Sequence, residues 1–284
     1  MNRKEKNRLK RKILRIKKIT NVLIIIAILI LLSILGLSTY NIINWKIDNK
    51  EINNQLKQIN ENTKIEEIID NENTETINPP EDEFDPYWDY IKTPLISVDF
   101  NSLKNDNPDT VGWIFVGGTN INYPVVQAGN NEYYLNHSFN EKYNDGGWIF
   151  MDYRNNNQNF DKNTIIYGHS RYDKSMFGSL RNIINNNWFN DTTNHIIKFS
   201  TPKENTLWQV FSVYTIEEEA YYLTTNFKND KLYNNWLNTM LERSKFNFNT
   251  NINTNDKILT LSSCYTSDGI RVVLHAKLIK KEAR

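Results

Sequence analysis

The chain has 284 residues, a formal net charge of +1 and a single cysteine, which excludes an intrachain disulfide framework. This near-zero net charge is the sum of two oppositely charged segments. Residues 1–18 contain ten basic residues and one acidic residue, and residues 19–284 contain 24 basic and 32 acidic residues. A net charge of about −8 on residues 19–284 argues against a nucleic-acid or anionic-lipid surface there.

An uncharged apolar run, VLIIIAILILLSILGL, follows the basic segment from Val22 to Leu37. With its mildly polar flanks it is long enough to cross the roughly 30 Å hydrocarbon core of a bilayer as a helix. A cleaved signal peptide fits less well, because the apolar run is long and GLSTYNIINW contains no small-x-small cleavage site. We predict a transmembrane signal anchor over residues 19–40. The basic residues then place the tail, residues 1–18, in the cytoplasm and the remainder on the external face.

Residues 41–83 are polar and charged, with sparse apolar residues, and end in NPPEDEF. The apolar stripe is too thin to form a core, and the segment is therefore predicted to be a polar stalk or linker. The remaining residues, 84–284, suffice for one domain with an ample core.

The predicted domain is mainly β. Eight runs with strand-like composition are separated by turn-rich loops such as FVGGTN and NDGG. They are VGWIFV, NINYPVVQ, GWIFMD, NTIIYG, HIIKF, LWQVFSVYTI, KILTLS and IRVVLHAKLI. Short strands at this spacing predict a closed or nearly closed antiparallel barrel.

Only a few segments have helical periodicity. In DKSMFGSLRNII the apolar residues share one helical face, with Asp173 as the expected N-cap. A longer helix is predicted at about residues 229–245, starting after Asn229 or Asp230, between the sixth and seventh strands. Its predicted apolar face consists of Leu232, Trp236, Leu237, Met240 and Leu241.

Cys264 follows the seventh strand, in TLSSC. A lone thiol outside the membrane is either buried and inert or kept for reactivity, and the residues alone leave both interpretations open, because free cysteine is among the most buried residue types. A cysteine nucleophile needs a group that shares its proton and a group that stabilises an oxyanion.

Four histidines could serve as the proton partner. His169 lies at the end of the strand predicted in NTIIYGHS, and Arg271 lies at the start of the last strand. Both residues are therefore predicted at strand ends, as Cys264 is. His275 lies mid-strand on the more polar face of IRVVLHAKLI and is interpreted as structural. We expect His137 and His195 to lie at the surface.

TLSSC, with Arg271 seven residues after the cysteine and IIYGHS far upstream, resembles the signature of the sortases. The resemblance extends over residues 84–284, where NPDTVGWIFVGGTNINYPVVQAGNNEYYL and GWIFMDYRN look like the early strands of that family. It implies an eight-stranded sortase-like β-barrel with Cys264 as nucleophile, His169 as proton donor to the leaving amine, and Arg271 on the oxyanion or the substrate. The long helix before the cysteine strand is similar to the insertion of class B sortases.

Further positions carry over from the resemblance. Ser262, Tyr222 and Leu223 resemble substrate-groove positions of class B members. Two positions depart from the family pattern: Ser263 replaces a frequent Thr, and Tyr265 stands where some members carry an acidic side chain, so substrate contacts there differ. The run Glu217–Glu219 is interpreted as a solvated loop.

The resemblance implies a membrane-anchored cysteine transpeptidase on the external face of a Gram-positive-type bacterium. It would cleave a C-terminal sorting signal of NPxTx or S/NPxTG type in surface proteins and join the acyl part to a peptidoglycan amine. No nucleic-acid partner, cofactor or metal is expected, since no Cys/His or Asp/Glu cluster demands a metal.

Other functions are considered as well. A pilin-polymerising sortase would use the same fold and triad with a lysine of another protein as the amine. An L,D-transpeptidase also pairs Cys with His, but its SHGC-like context is absent from the sequence. A non-catalytic, membrane-tethered scaffold or adhesion domain would bury Cys264 as an inert thiol.

Overall fold

A computed structural model describes residues 2–70, 72–264 and 269–284, and of Cys264 the backbone alone. The chain divides into two compact units, residues 1–50 and residues 51–284. The first unit is helical and belongs to α1 (Arg3–Asn62). Within the described part of the chain, α1 is the one helix long and apolar enough to cross a membrane, judged by its length and composition.

The second unit consists mainly of strands, and in its described residues four α-helices follow the end of α1. The helices after α1 are α2 (Tyr87–Tyr90), α3 (Phe100–Asp106), α4 (Asn186–Asn190) and α5 (Asp230–Arg243). The strands are β1 (Ile65–Ile68), β2 (Thr74–Thr76), β3 (Leu95–Val98), β4 (Thr110–Val116), β5 (Asn122–Val126), β6 (Phe150–Met151), β7 (Asn163–His169), β8 (Ile196–Ser200), β9 (Glu204–Glu217), β10 (Ile258–Cys264) and β11 (Ile270–Ala283).

Eight of these strands close into a barrel, in the order β10-β7-β6-β5-β4-β8-β9-β11 and back to β10. The predicted eight-stranded barrel is therefore confirmed, with β2 added outside on β11. The expectation of a purely antiparallel sheet is wrong at two places, since β5 pairs with β6 and β7 pairs with β10 in parallel. Long connections join the members of these pairs, and only long connections allow parallel neighbours.

The last strand shows how the barrel core is completed. Val272, Leu274 and Ala276 point into the main core, as their alternation predicts. The opposite face of β11 is also buried, because α5 covers it and contributes Trp236 and Met240 to a second cluster. The start of α5 agrees with the sequence, since the Asn229 side chain accepts from the Leu232 N–H.

The first predicted helix begins later than expected. The structure has a 3₁₀ helix over Gly178–Ile184, and Asp173 instead accepts from the N–H of Ser175 in a tight turn. Met176 adopts a left-handed backbone with φ 49°, which interrupts any helix starting at Asp173.

The compact unit begins at Glu51, earlier than the boundary at residue 84 that the sequence favours. Ile52 and Ile59 of α1 are buried in the main core. Polar contacts hold the segment after α1, because Lys198 Nζ lies 2.8 Å from a Glu67 carboxylate oxygen and Lys280 pairs with Asp70. Apolar contacts of α1 and these ion pairs therefore both connect residues 51–70 to the barrel.

Candidate active site

Cys264 and His169 end neighbouring strands. β10 and β7 pair in parallel from Ile258 opposite Asn163 to Cys264 opposite His169, without interruption. Adjacent strands lie roughly 4.8 Å apart, so the backbone brings the two candidate catalytic residues side by side across a sequence separation of nearly a hundred residues.

The imidazole of His169 is oriented by the backbone. Its Nε2 lies 2.6 Å from the Leu135 carbonyl oxygen, which can only accept. A neutral ring therefore carries its proton on Nε2 and leaves Nδ1 to exchange a proton. Burial lowers the pKa of His169 below its ordinary value, the hydrogen bond to Leu135 opposes this shift, and nearby Arg171 adds to it. The neutral ring is thus favoured near neutral pH.

A glycine allows the loop to approach the histidine. Gly147 has φ +59°, and a Cβ there would lie 2.5 Å from the Tyr134 carbonyl oxygen and 3.0 Å from Cδ2 of His169. Any larger residue would be strained and would displace the backbone that presents the Leu135 carbonyl. The glycine turn therefore fixes the imidazole indirectly.

Arg271, at the start of β11, lines the same cavity as His169. Its side chain is 13% exposed, and Nη2 donates to Oε1 of Glu218 at 2.6 Å. The expected solvated loop agrees with the 64% exposure of the Glu218 side chain, but its contact with Arg271 was not anticipated from the sequence. The register of β11 against β9, with Ile270 opposite Glu217, brings the two side chains together, and only this long-range pairing could have identified Glu218.

A cavity of about 350 Å³ joins these residues, with His169, Arg271 and Leu223 on its walls. The rest of its lining is Asn131, Leu135, Phe150, Tyr167 and Glu218. A larger open hollow of about 690 Å³ lies elsewhere, lined mainly by asparagines of residues 182–194, and none of the predicted site residues lines it. The smaller cavity therefore combines apolar walls with an imidazole and a guanidinium, which suits an extended peptide and a developing oxyanion.

The three predicted groove residues differ in their position relative to the cavity. Leu223 lines the cavity, whereas Tyr222 and Ser262 are fully buried and lie 2.9 Å apart through their hydroxyl groups. Burial places these two hydroxyls behind the groove surface, where they can support it. Tyr265, the other position expected to alter substrate contacts, lies outside the described residues.

The remaining histidines do not line this cavity. His275 is fully buried, and burial lowers its pKa to about 3, which agrees with a structural role. The expected surface position of His195 is wrong, because it is 4% exposed and its ring nitrogens bind Tyr90 Oη and the Phe189 carbonyl oxygen. The residues that directly precede His195 are polar, so they do not indicate the aromatic residues that surround its ring. His137 is partly buried and stacks on Tyr133.

Comparisons with known proteins identify the family of the chain. The model of the sortase domain family matches residues 114–279. Sortase B of Staphylococcus aureus (strain NCTC 8325 / PS 47) is 38% identical over 184 residues, which cover 64% of this chain and 75% of that protein.

Two solved structures are similar to this chain. One is a Staphylococcus aureus sortase B–substrate complex, with TM-score 0.60, 38% identity, and coverage of 64% of this chain and 84% of that one. The other is sortase B from B. anthracis in complex with AAEK1, with TM-score 0.65, 32% identity, and coverage of 82% and 99%. The chain belongs to the sortase family of transpeptidases, and its relatives are class B sortases.

Proposed function

We propose that this sortase is a membrane-anchored cysteine transpeptidase that cleaves a sorting signal near the C-terminus of surface proteins and transfers the acyl part to a peptidoglycan amine. The observation that carries the proposal is the parallel pairing of Cys264 with His169 beside the cavity that Arg271 lines. Cys264 and His169 end adjacent strands, and His169 and Arg271 line one cavity, which supports a thiol-dependent acyl transfer by these residue types.

In the proposed first step, the thiolate of Cys264 attacks a backbone carbonyl of the signal, and Arg271 stabilises the oxyanion that forms. The C–N bond then breaks, and the imidazolium of His169 gives its proton to the departing amine through Nδ1. A thioester between the surface protein and Cys264 remains. An incoming amine attacks this thioester, loses a proton to Nδ1 of His169 and expels the Cys264 thiolate as a new amide forms, which restores the thiolate and the imidazolium.

The electrostatics of the site predict slow turnover. A free thiol has a pKa near 8.5, and the positive charge of Arg271 favours the thiolate. Burial lowers the pKa of His169, so the imidazolium is a minor form near neutral pH. Few molecules then hold a thiolate and an imidazolium at the same time, and this fraction limits the rate of acylation.

The donor is proposed to carry an NPxTx or S/NPxTG signal, and the acceptor to be an amine of the peptidoglycan stem or cross-bridge. The staphylococcal relative was solved as a substrate complex, which supports substrate binding by the corresponding barrel of this chain. We further propose residues 1–18 as a cytoplasmic tail, residues 19–40 as the anchor, residues 41–83 as a linker and residues 84–284 as the catalytic domain. Of the linker, residues 51–83 belong to the compact unit.

The test incubates the detergent-solubilised full chain with quenched NPxTx and xPxTG peptides, with and without amine acceptors. Cys264→Ala is the matched control, since it removes only the sulfur. Cleavage that requires Cys264 and yields an amide with the added amine is expected. If no peptide is turned over and Cys264 is alkylated only after unfolding, the chain is a scaffold and the proposal fails. Ligation to protein lysines in preference to wall-derived amines would instead identify a pilin-polymerising enzyme.

A further inference from the structure

A buried carboxylate, which the proposed mechanism does not use, lies behind the cavity. Asp152 directly follows β6 and is fully buried. Its oxygens accept from Arg154 Nε at 2.9 Å and Nη2 at 2.7 Å, from Tyr167 Oη at 2.9 Å and from Asn131 Nδ2 at 3.0 Å. Tyr167 and Asn131 both line the cavity, so one carboxylate holds two of its walls.

Arg154 extends this network to a third wall. Its Nη2 also donates to the carbonyl oxygen of Leu223 at 3.1 Å, at the end of the 3₁₀ turn Tyr221–Leu223. Below this turn, Asn163 Nδ2 donates to the Thr224 carbonyl oxygen at 2.9 Å. The wall formed by Leu223 is thus held between a buried amide and a guanidinium that Asp152 orients.

The charge of Asp152 is essential to this arrangement. Burial favours the neutral acid, but the hydrogen bonds from Arg154 and Tyr167 outweigh it, and the pKa of Asp152 lies below its ordinary value. An ionised carboxylate can accept at both oxygens, and its planar fork matches the guanidinium. An amide of the same shape accepts at one atom only and presents an NH2 donor at the other, so it cannot accept from both Nε and Nη2 of Arg154.

We propose that Asp152 is a positioning residue for peptide binding: through Arg154, Tyr167 and Asn131 it holds three walls of the cavity in the arrangement that receives the acyl part of the donor peptide. This inference rests on the proposed function, since it assigns the peptide to this cavity. It adds a residue that touches neither the peptide nor the reacting atoms and acts by fixing the residues that do.

The experiment uses the detergent-solubilised full chain and compares Asp152→Asn, Arg154→Gln and the double variant. Asp161→Asn is the matched control, because that carboxylate also accepts from an amide, Asn155 Nδ2 at 2.8 Å, yet does not line the cavity. The readouts are KM and kcat for the best quenched peptide, and backbone hydrogen exchange of residues 219–226. We expect KM to rise at least fivefold in both single variants, kcat to change less than twofold, and exchange of this segment to accelerate.

Two results make the interpretation specific. The double variant is expected to resemble the worse single variant, because both changes break one network. If KM of Asp152→Asn stays within twofold of the wild type, or if its activity falls only with the folded fraction as in the control, the inference is wrong. Should Asp152→Asn fail to fold, Arg154→Gln decides in the same way, since that side chain is 40% exposed.

Failure of the proposed function and failure of the positioning role give different results in this experiment. In that case the wild-type chain cleaves no peptide, whereas hydrogen exchange still reports whether Asp152 holds residues 219–226. Unchanged exchange in both variants would overturn the positioning role on its own.

Discussion

Acidification is expected to destabilise this fold through one buried imidazole. The hydroxyl proton of Thr260 is donated to Oδ1 of Asn163 at 2.6 Å, so the Thr260 oxygen accepts from Nδ1–H of His275 at 2.8 Å. Nε2 of His275 then accepts from Tyr214 Oη at 2.9 Å. The neutral ring satisfies both bonds, and a second ring proton would add a charge in a fully buried place close to Arg243.

The magnitude follows from proton linkage. The pKa of His275 falls from 6.5 to about 3 on folding, so the unfolded chain binds one more proton between these pH values. The stabilisation is complete above pH 6.5 and is lost as the pH falls, by about 1.4 kcal/mol per pH unit. At pH 4.5, two units below the unfolded value, this group costs about 3 kcal/mol of unfolding free energy.

Urea unfolding of residues 51–284 from pH 7 to pH 4.5 measures this effect, with His275→Gln as the variant and His137→Gln as the matched control. The Gln variant is expected to be less stable at pH 7, and this deficit should shrink by about 3 kcal/mol at pH 4.5. A deficit that stays constant with pH would show that His275 does not gain a proton on unfolding in this pH range. If the variant does not fold, NMR titration of the wild-type imidazole decides, since His275 should stay neutral down to about pH 4.

Three further changes test the site. Gly147→Ala places a methyl group against the Tyr134 carbonyl oxygen at positive φ, so we expect a loss of about 2 kcal/mol in urea unfolding and a lower kcat. Arg271→Lys keeps the charge but loses the forked donor, so a small residual cleavage activity is expected, and full activity in the peptide assay would contradict the assigned role. Tyr222→Phe removes the hydroxyl contact with Ser262; a cost of about 1 kcal/mol in stability with nearly unchanged KM is expected, and a large rise in KM would indicate direct substrate contact.

The helix α5 illustrates what a local pattern can predict. The Asn229 cap and the apolar face containing Trp236, Leu237 and Met240 lie within one continuous segment, and all of them occur as expected. Leu232, assigned to the same face, is 46% exposed, because the barrel surface beneath the first turn is covered by Tyr233 instead. Periodicity locates the face of a helix to within about one residue position.

His195 and Glu218 illustrate what local patterns cannot predict. His195 follows a polar run, yet its ring is enclosed by Phe189 and Phe248 from distant parts of the chain. Glu218 lies in an acidic run that is typical of a solvated loop. Its ion pair with Arg271 depends on the register between β9 and β11. Neither environment leaves a signal in the neighbouring residues.

Local sequence patterns predict the apolar helix, the eight barrel strands, α5 and the residue types of the site, because strand and helix faces are set by alternation, periodicity and caps over a few residues. The folded barrel alone shows that Cys264 lies opposite His169, that α5 buries the second face of β11, and that Asp152 contacts the residues of three cavity walls. These relations join segments far apart in the chain, and their geometry is set by barrel closure and strand register, which no local pattern encodes.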